Sequence, residues 1–363
     1  MNRLIIVGNG FDLAHGLPTT YCDFITDYLA KALNEFKSNH YFDDLHLLEI
    51  KRLHTYDPNP IDYYFQITAE NVIGVLQALH AKGINAIITY HCEFFEKTIK
   101  KVGEINWVDL ENDFFEELNS YRKTPNGEFH REKVIRLNKQ FSFLKEKLSE
   151  YLRGIQIDEG SFKPNVFIST IFNQRITGPT QKSGTTTPKK LFLNFNYTNT
   201  LKPYIGFTKG LTTSSPVEDD QLIHIHGELD NPHNPVIFGF GDEHNKHYLE
   251  FEDLHNDEVF RHIKSFAYFK TSNYHNLMSF LNDDYFEVFI VGHSCGLSDR
   301  TMFRQIFEHK NISKVKIIYH EREDGTNDYE DKTISLARHF TDKANMRLKL
   351  VSEPDCVALP QHR

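Results

Sequence analysis

Leu4-Ile5-Ile6-Val7-Gly8-Asn9-Gly10-Phe11-Asp12 is the stretch on which the reading of this chain turns. Four apolar residues in a row, Leu4 to Val7, suit a short strand buried on both faces of a parallel sheet. The run stops at a Gly-x-Gly pair, where the backbone turns tightly and nothing larger than hydrogen stands between it and a neighbour. If a helix follows, its first amides face whatever sits in front of the turn, and amides in that setting favour phosphate. Two of the three glycines of a dinucleotide loop are present, so an ordinary tight turn is the competing reading.

Texture changes along the chain. Tyr21–Phe36 carries Phe24, Ile25, Tyr28, Leu29, Ala32 and Leu33 at helical spacing. Ile84, Ile87, Ile88, His91, Phe95, Ile99 and Val102 fall on one stripe, which predicts a single long helix rather than a strand over 84–90. Further helices are expected from Trp107 to Leu118 and from Ile135 to Leu152. Lys182–Lys190 is a polar, Pro-containing loop. Beyond it, short apolar runs at Leu191–Phe195, Leu222–Ile225, Val236–Phe240, Phe286–Val291, Val315–Tyr319 and Leu348–Val351 read as strands. Helical candidates such as Ser298–Glu308 and Thr333–Phe340 fall between them. The expected fold is therefore α/β, a doubly wound parallel sheet of Rossmann type with a large helical insertion after the first strand. The boundaries drawn are 1–20 and 160–363 for the sheet domain and 21–159 for the insertion.

A net charge of −9 and no long Lys/Arg run argue against nucleic acid as a partner. The four cysteines, Cys22, Cys92, Cys295 and Cys356, form no C-x-x-C pair, so no metal is expected and buried thiols are. No apolar stretch approaches the roughly 18 residues of a membrane span. The first residues read as a strand rather than a targeting segment, and the chain is expected to be cytoplasmic.

Parallel sheets bind ligands at the carboxyl ends of their strands. Those ends read Gly8-Asn9-Gly10 with Asp12, then Asn194-Phe195-Asn196, His224-Ile225-His226-Gly227, Gly239-Phe240-Gly241-Asp242, Gly292-His293-Ser294 and His320-Glu321. Each has a plainer alternative. Asn194 or Asn196 could satisfy a buried backbone group. Asp12 could cap a helix. His224 reads as structural, and His226, followed by Gly227, as functional. Trp107-x-Asp109-x-Glu111 reads as a helix start.

These motifs resemble the sirtuin-type nicotinamide-dinucleotide fold. Gly8, Gly10, Gly16 and Pro18 match the spacing of G-A-G-[IS]-S-x-x-x-G-I-P, with Asp12 in place of the small hydroxyl residue. Asn194-Phe195-Asn196-Tyr197-Thr198 aligns with T-Q-N-I-D, which puts Asn196 at the catalytic asparagine. His226-Gly227 matches the H-G pair and Gly292-His293-Ser294 the G-T-S. The chain is more similar still to the AbiH family of bacterial phage abortive-infection proteins, through GNGFDLAHGLPT, W-x-D-x-E, F-N-Y-T, H-I-H-G and G-H-S-x-x-x-x-D ending at Asp299. It lacks the four zinc cysteines of the deacylases and the D-F-R after I-P, so protein deacylation is not expected.

The resemblance implies an antiphage NADase that hydrolyses NAD⁺ as substrate, with Asn196 and His226 catalytic. Gly8, Asn9, Gly10, Asp12, Gly16, Gly227, Gly292, His293, Ser294 and Asp299 would hold the small-molecule nucleotide. An enzyme that depletes a central cofactor must be held inactive, so control by homo-oligomerisation or by an activating phage-derived or partner-protein trigger is expected. Two rivals stand: a nucleotide sensor that does not cut its ligand, and a serine hydrolase. The latter would use Gly292-His293-Ser294-Cys295-Gly296 as G-x-S-x-G, with Asp324 and His339.

Overall fold

The computed structural model describes residues 1–51, 66–81, 88–105, 109–121, 130–176, 189–205, 220–254 and 256–361. Trp107 and most of the Lys182–Lys190 loop lie outside them. The chain forms two compact units: Met1–Leu17 with Leu152–Asp253 and Ile263–Arg363, and Pro18–Tyr151 with Leu254–His262. The described strands are β1 (Asn2–Val7), β2 (Tyr41–Asp43), β3 (Leu48–Lys51), β4 (Ile88–Tyr90), β5 (Lys190–Asn194), β6 (Asp220–His224), β7 (Phe286–Val291), β8 (Ile312–Tyr319) and β9 (Val357–Ala358).

In the first unit six strands form one sheet in the order β6-β5-β1-β7-β8-β9. Every pairing in it is parallel. β1 is central and buried at every residue. Because side chains alternate along a strand, Leu4 and Ile6 enter one core while Ile5 and Val7 enter another. Helices Asn273–Asp283, Arg300–Phe307 and Tyr329–Ala337 cover the first core. Helices Asn9–Ala14 and Val166–Asn173 cover the second. The all-apolar strand text follows from burial on both faces. Numbered by their order within this sheet, the strands run 3-2-1-4-5-6, and the order reverses between β1 and β7, the position at whose carboxyl ends sheets of this kind bind ligands.

Two expected strands are absent. Val236–Phe240 is an irregular segment whose one β-bridge joins Phe240 to Ile263. Ile237, Phe238 and Phe240 are buried, but Pro235 before the segment and Gly239 at φ +156° keep it out of a regular ladder. Leu348–Val351 begins as the end of helix Lys343–Lys349 and then makes one bridge, Leu350 to Val315. The sixth strand is instead the two-residue β9.

The second unit contains helix Tyr21–Asn39, which starts on a capping box between Thr20 and Asp23. It also holds the greater part of helix Arg131–Arg153. It is not wholly helical as expected, because β2, β3 and β4 form a small antiparallel sheet. Ile84 and Ile87 of the expected helix lie outside the described residues, and the rest of the stripe, Ile88 to Val102, is two elements. Ile88–Tyr90 pairs with β3, and the helix begins at Glu93, with Phe95, Ile99 and Val102 on its buried face. Asp109 starts helix Leu110–Ser120 by accepting the Asn112 N–H at 3.1 Å. Asp109→Ala should therefore cost about 0.5–2 kcal/mol in urea unfolding, the range for a lost cap.

Candidate functional site

The site is built at the carboxyl ends of β1, β5, β6 and β7. After β1 the chain turns at Gly8 into a short helix, Asn9–Ala14. After β7 it turns at Gly292, which sits at φ +65°. The two turns interlock: Gly8 N–H donates to Val291 O at 3.1 Å, and Gly10 N–H to Gly292 O at 2.7 Å. A Cβ on Gly8 would stand 2.6 Å from the His293 ring, and one on Gly10 would stand 2.8 Å from Gly292 O. Close packing of two backbones is thus what requires these glycines. Their amides are taken by carbonyls of the β7 turn, which corrects the expectation that both face a phosphate. Asn9 is exposed beside them, and Gly16 lies in an exposed turn at φ +76°.

Both asparagines of β5 serve backbone groups. Asn194 Oδ1 accepts the Asn196 N–H at 3.1 Å, and its Nδ2 donates to His224 Nδ1 at 3.2 Å. Asn196 Nδ2 donates to Gly8 O at 3.1 Å and so ties the β5 turn to the glycine turn. Thr198 donates its hydroxyl to Asp12 Oδ2 at 2.6 Å. Asp12 is not the helix cap, a position held by Gly8. It is fully buried, its Oδ1 has no hydrogen bond, and Thr200 nearby has a hydroxyl equally without one. Burial pushes the Asp12 carboxyl up to about 6, against the opposing pull of the Thr198 hydrogen bond and of the nearby Thr200 and Asn196 side chains.

An acid raised in this way stabilises the fold in its protonated form. That stability is complete below the unfolded carboxyl range and is lost as pH rises through about 6. We expect Asp12→Asn to flatten this dependence and to gain on the order of 2 kcal/mol above pH 7, read from melting curves across pH.

β6 ends in two histidines with different surroundings. His224 lies against Asn194, and burial holds its imidazole below the ordinary value. His226 has Nε2 at 3.0 Å from Asp299 Oδ1 and 3.4 Å from the Tyr268 hydroxyl, while Phe195 packs edge-on at 4.9 Å between ring centres. Nδ1 has no hydrogen-bond partner among the described residues. Lys264, with its side chain fully buried, places Nζ 2.9 Å from the same Asp299 oxygen. Burial would raise the Asp299 carboxyl, but Lys264 and then His226 outweigh it and hold the group ionised. Burial, followed by the Lys264 charge, holds His226 below the usual histidine value against the pull of Asp299. The imidazole is therefore neutral at neutral pH. Gly227, at φ +86°, is demanded by Pro235, whose carbonyl would stand 2.2 Å from an added Cβ. A neighbouring loop, rather than a ligand, approaches there.

On the β7 turn, His293 accepts the Cys295 N–H at Nδ1, 2.9 Å away, and burial drives its imidazole down to about 3. Ser294 is exposed and Cys295 is held at φ +53°. His339 donates from Nε2 to Cys295 O at 2.7 Å, whereas Asp324 is exposed and bonded to Thr326. His339 and Asp324 of the serine-hydrolase reading are thus engaged with other partners, and the left-handed residue is Cys295 rather than the serine.

Sequence reasoning missed Lys264, Tyr268 and the Asp12–Thr198 bond. A signal for Lys264 existed, as the lone charge between Ile263 and the aromatics of Phe266–Tyr268. Among the described residues no three His, Cys, Asp or Glu side chains are grouped to hold a metal. No described helix is long and apolar enough to cross a membrane. A groove of about 580 Å³ between β6 and helix Asn273–Asp283 is lined by Lys189, Gln221 and Asp283 at the amino ends of the strands, remote from this cluster.

The model of the bacteriophage abortive infection AbiH family matches residues 4–320. The chain belongs to the AbiH family. Defence against phage by abortive infection is the function that membership suggests. The AbiH match runs from within β1 to the end of β8, takes in Asp12, Asn196, His226, Lys264 and Asp299, and stops before β9. No curated protein matches the chain.

Proposed function

We propose that this AbiH protein carries out abortive infection by hydrolysing the nicotinamide–ribose bond of NAD⁺ in a sirtuin-like site. The observation that carries the reading is a buried, neutral His226, fixed by Asp299, at a strand end of a 3-2-1-4-5-6 sheet. That strand order is the one that binds dinucleotides at its point of reversal. His226 Nδ1 would take a proton from the attacking water as its oxygen bonds to the ribose C1′. The C1′–N bond breaks with its electron pair passing to nicotinamide, which leaves neutral, and the products are ADP-ribose, nicotinamide and a proton. The oxocarbenium-like transition state is positive, so an uncharged imidazole opposes it less than an imidazolium would.

Asn196 would act chiefly by holding the glycine turn through Gly8 O. The orphan Asp12 Oδ1 supports a role towards ribose. The Gly8 and Gly10 amides are engaged, so the pyrophosphate is assigned to the exposed rim, with Asn9 and Ser294 as its polar groups. Gly16, Gly227, Gly292 and His293 would shape that rim as loop framework.

The test is incubation of the purified protein with NAD⁺, alone and with lysate from phage-infected cells, followed by mass spectrometry of the nucleotide. Nicotinamide release supports the reading. NAD⁺ recovered intact from the protein would favour a sensor that binds without cutting, and no interaction at all would remove the nucleotide from the proposal.

A further inference from the structure

Asp299 Oδ1 is shared between two donors. It lies 3.0 Å from His226 Nε2 and 2.9 Å from Lys264 Nζ, and all three side chains are buried. With Asp299 ionised and Lys264 protonated the group is neutral. Adding a proton to His226 would leave one positive charge unmatched away from water, which is costly. A histidine facing a carboxylate alone behaves in the opposite way, because the carboxylate favours the imidazolium.

We propose that Lys264 is a positioning residue for His226. It supplies the cation that Asp299 would otherwise draw from the imidazole, so the ring donates from Nε2 as a neutral species and offers Nδ1 as proton acceptor. The inference rests on the reading of His226 as the base. The other groups facing the ring do not supply this control. His293 is itself held neutral by burial, Tyr268 brings a hydroxyl, and Phe195 and Tyr197 bring rings. The charges that act on His226 are those of Lys264 and Asp299. Lys264 reaches them from a short helix, Lys264–Ala267, whose backbone is anchored by the Lys264 N–H donating to Phe240 O at 2.9 Å.

The experiment reads the ring directly. Two-bond ¹H–¹⁵N spectra of the full-length protein, with His226 assigned through His226→Gln, give protonation and tautomer from pH 5 to 8. The wild type should show a neutral Nε2–H ring at pH 7. In Lys264→Met the titration midpoint of His226 should rise by at least about one pH unit, and Lys264→Arg should restore the neutral ring at pH 7. An imidazolium or an Nδ1–H tautomer in the wild type at pH 7 overturns the proposal, and so does an unmoved midpoint in folded Lys264→Met. The wild-type measurement decides the matter alone should Lys264→Met not fold. NAD⁺ turnover followed in parallel separates the two readings. Absent turnover with a neutral Nε2–H ring overturns the base and leaves the tautomer standing. Turnover whose acidic limb moves to higher pH in Lys264→Met supports both.

Discussion

Gly292→Ala is expected to destabilise the first unit by about 2–6 kcal/mol, the sum of two costs. A non-glycine residue at φ +65° carries strain of about 1–3 kcal/mol. The added Cβ would also stand 2.2 Å from the Phe11 nitrogen and 2.6 Å from the Gly10 carbonyl carbon. Both are backbone atoms, so no side-chain rotation relieves the clash, and overpacking of this kind costs about 1–3 kcal/mol more. The Gly10 N–H to Gly292 O bond would be pushed apart with it. Differential scanning calorimetry measures the outcome. A melting temperature within a degree of wild type would mean that the two glycine turns are not interlocked as described.

His226→Gln should lower NAD⁺ turnover by about 10²–10⁴-fold, the usual contribution of a positioned acid–base group. Stability should change far less, because the Lys264–Asp299 pair remains matched in the variant. The pH profile carries a second signature. With its proton affinity held below the ordinary histidine value by burial and Lys264, His226 stays available as a base below pH 6.5. Wild-type turnover should therefore persist on the acid side of that value instead of halving there. Steady-state nicotinamide release between pH 5 and 8 tests both points. Full activity in His226→Gln would remove the base assignment.

Part of the molecule is written locally in its sequence and part is not. Leu4–Val7 and Phe286–Val291 announce buried parallel strands because no polar residue interrupts them, and both lie in the middle of the sheet. Val236–Phe240 carries the same apolar signal, yet the signal reports burial and not pairing, and Pro235 with Gly239 decides against a ladder. Ile88 fits a helical stripe by spacing alone; only its partner Ile50, far off in sequence, makes it a strand. β9 is two residues long and has no pattern to read.

The site divides in the same way. That Asn196, His226 and Asp299 meet at one end of the sheet follows from where strands end. That Gly8 and Gly10 give their amides to β7 carbonyls, or that Lys264 shares Asp299 with His226, depends on contacts between distant segments that no local spacing encodes. A lone lysine among aromatics marks a buried charge without naming its partner.

Of the strands of this sheet β1 is made before the others, and it sits in the centre, so its edges stay open until its two neighbours are synthesised. One neighbour, β5, arrives only with Lys190–Asn194, and the other, β7, only with Phe286–Val291. Pairings so distant along the chain form late, and until then the edges of Leu4–Val7 are unpaired and open to misassociation. A product of interrupted translation that ends before Asp299 has His226 but not the carboxylate that fixes its tautomer. On the proposed mechanism such a fragment lacks a fixed base, and its NAD⁺ turnover should be lost.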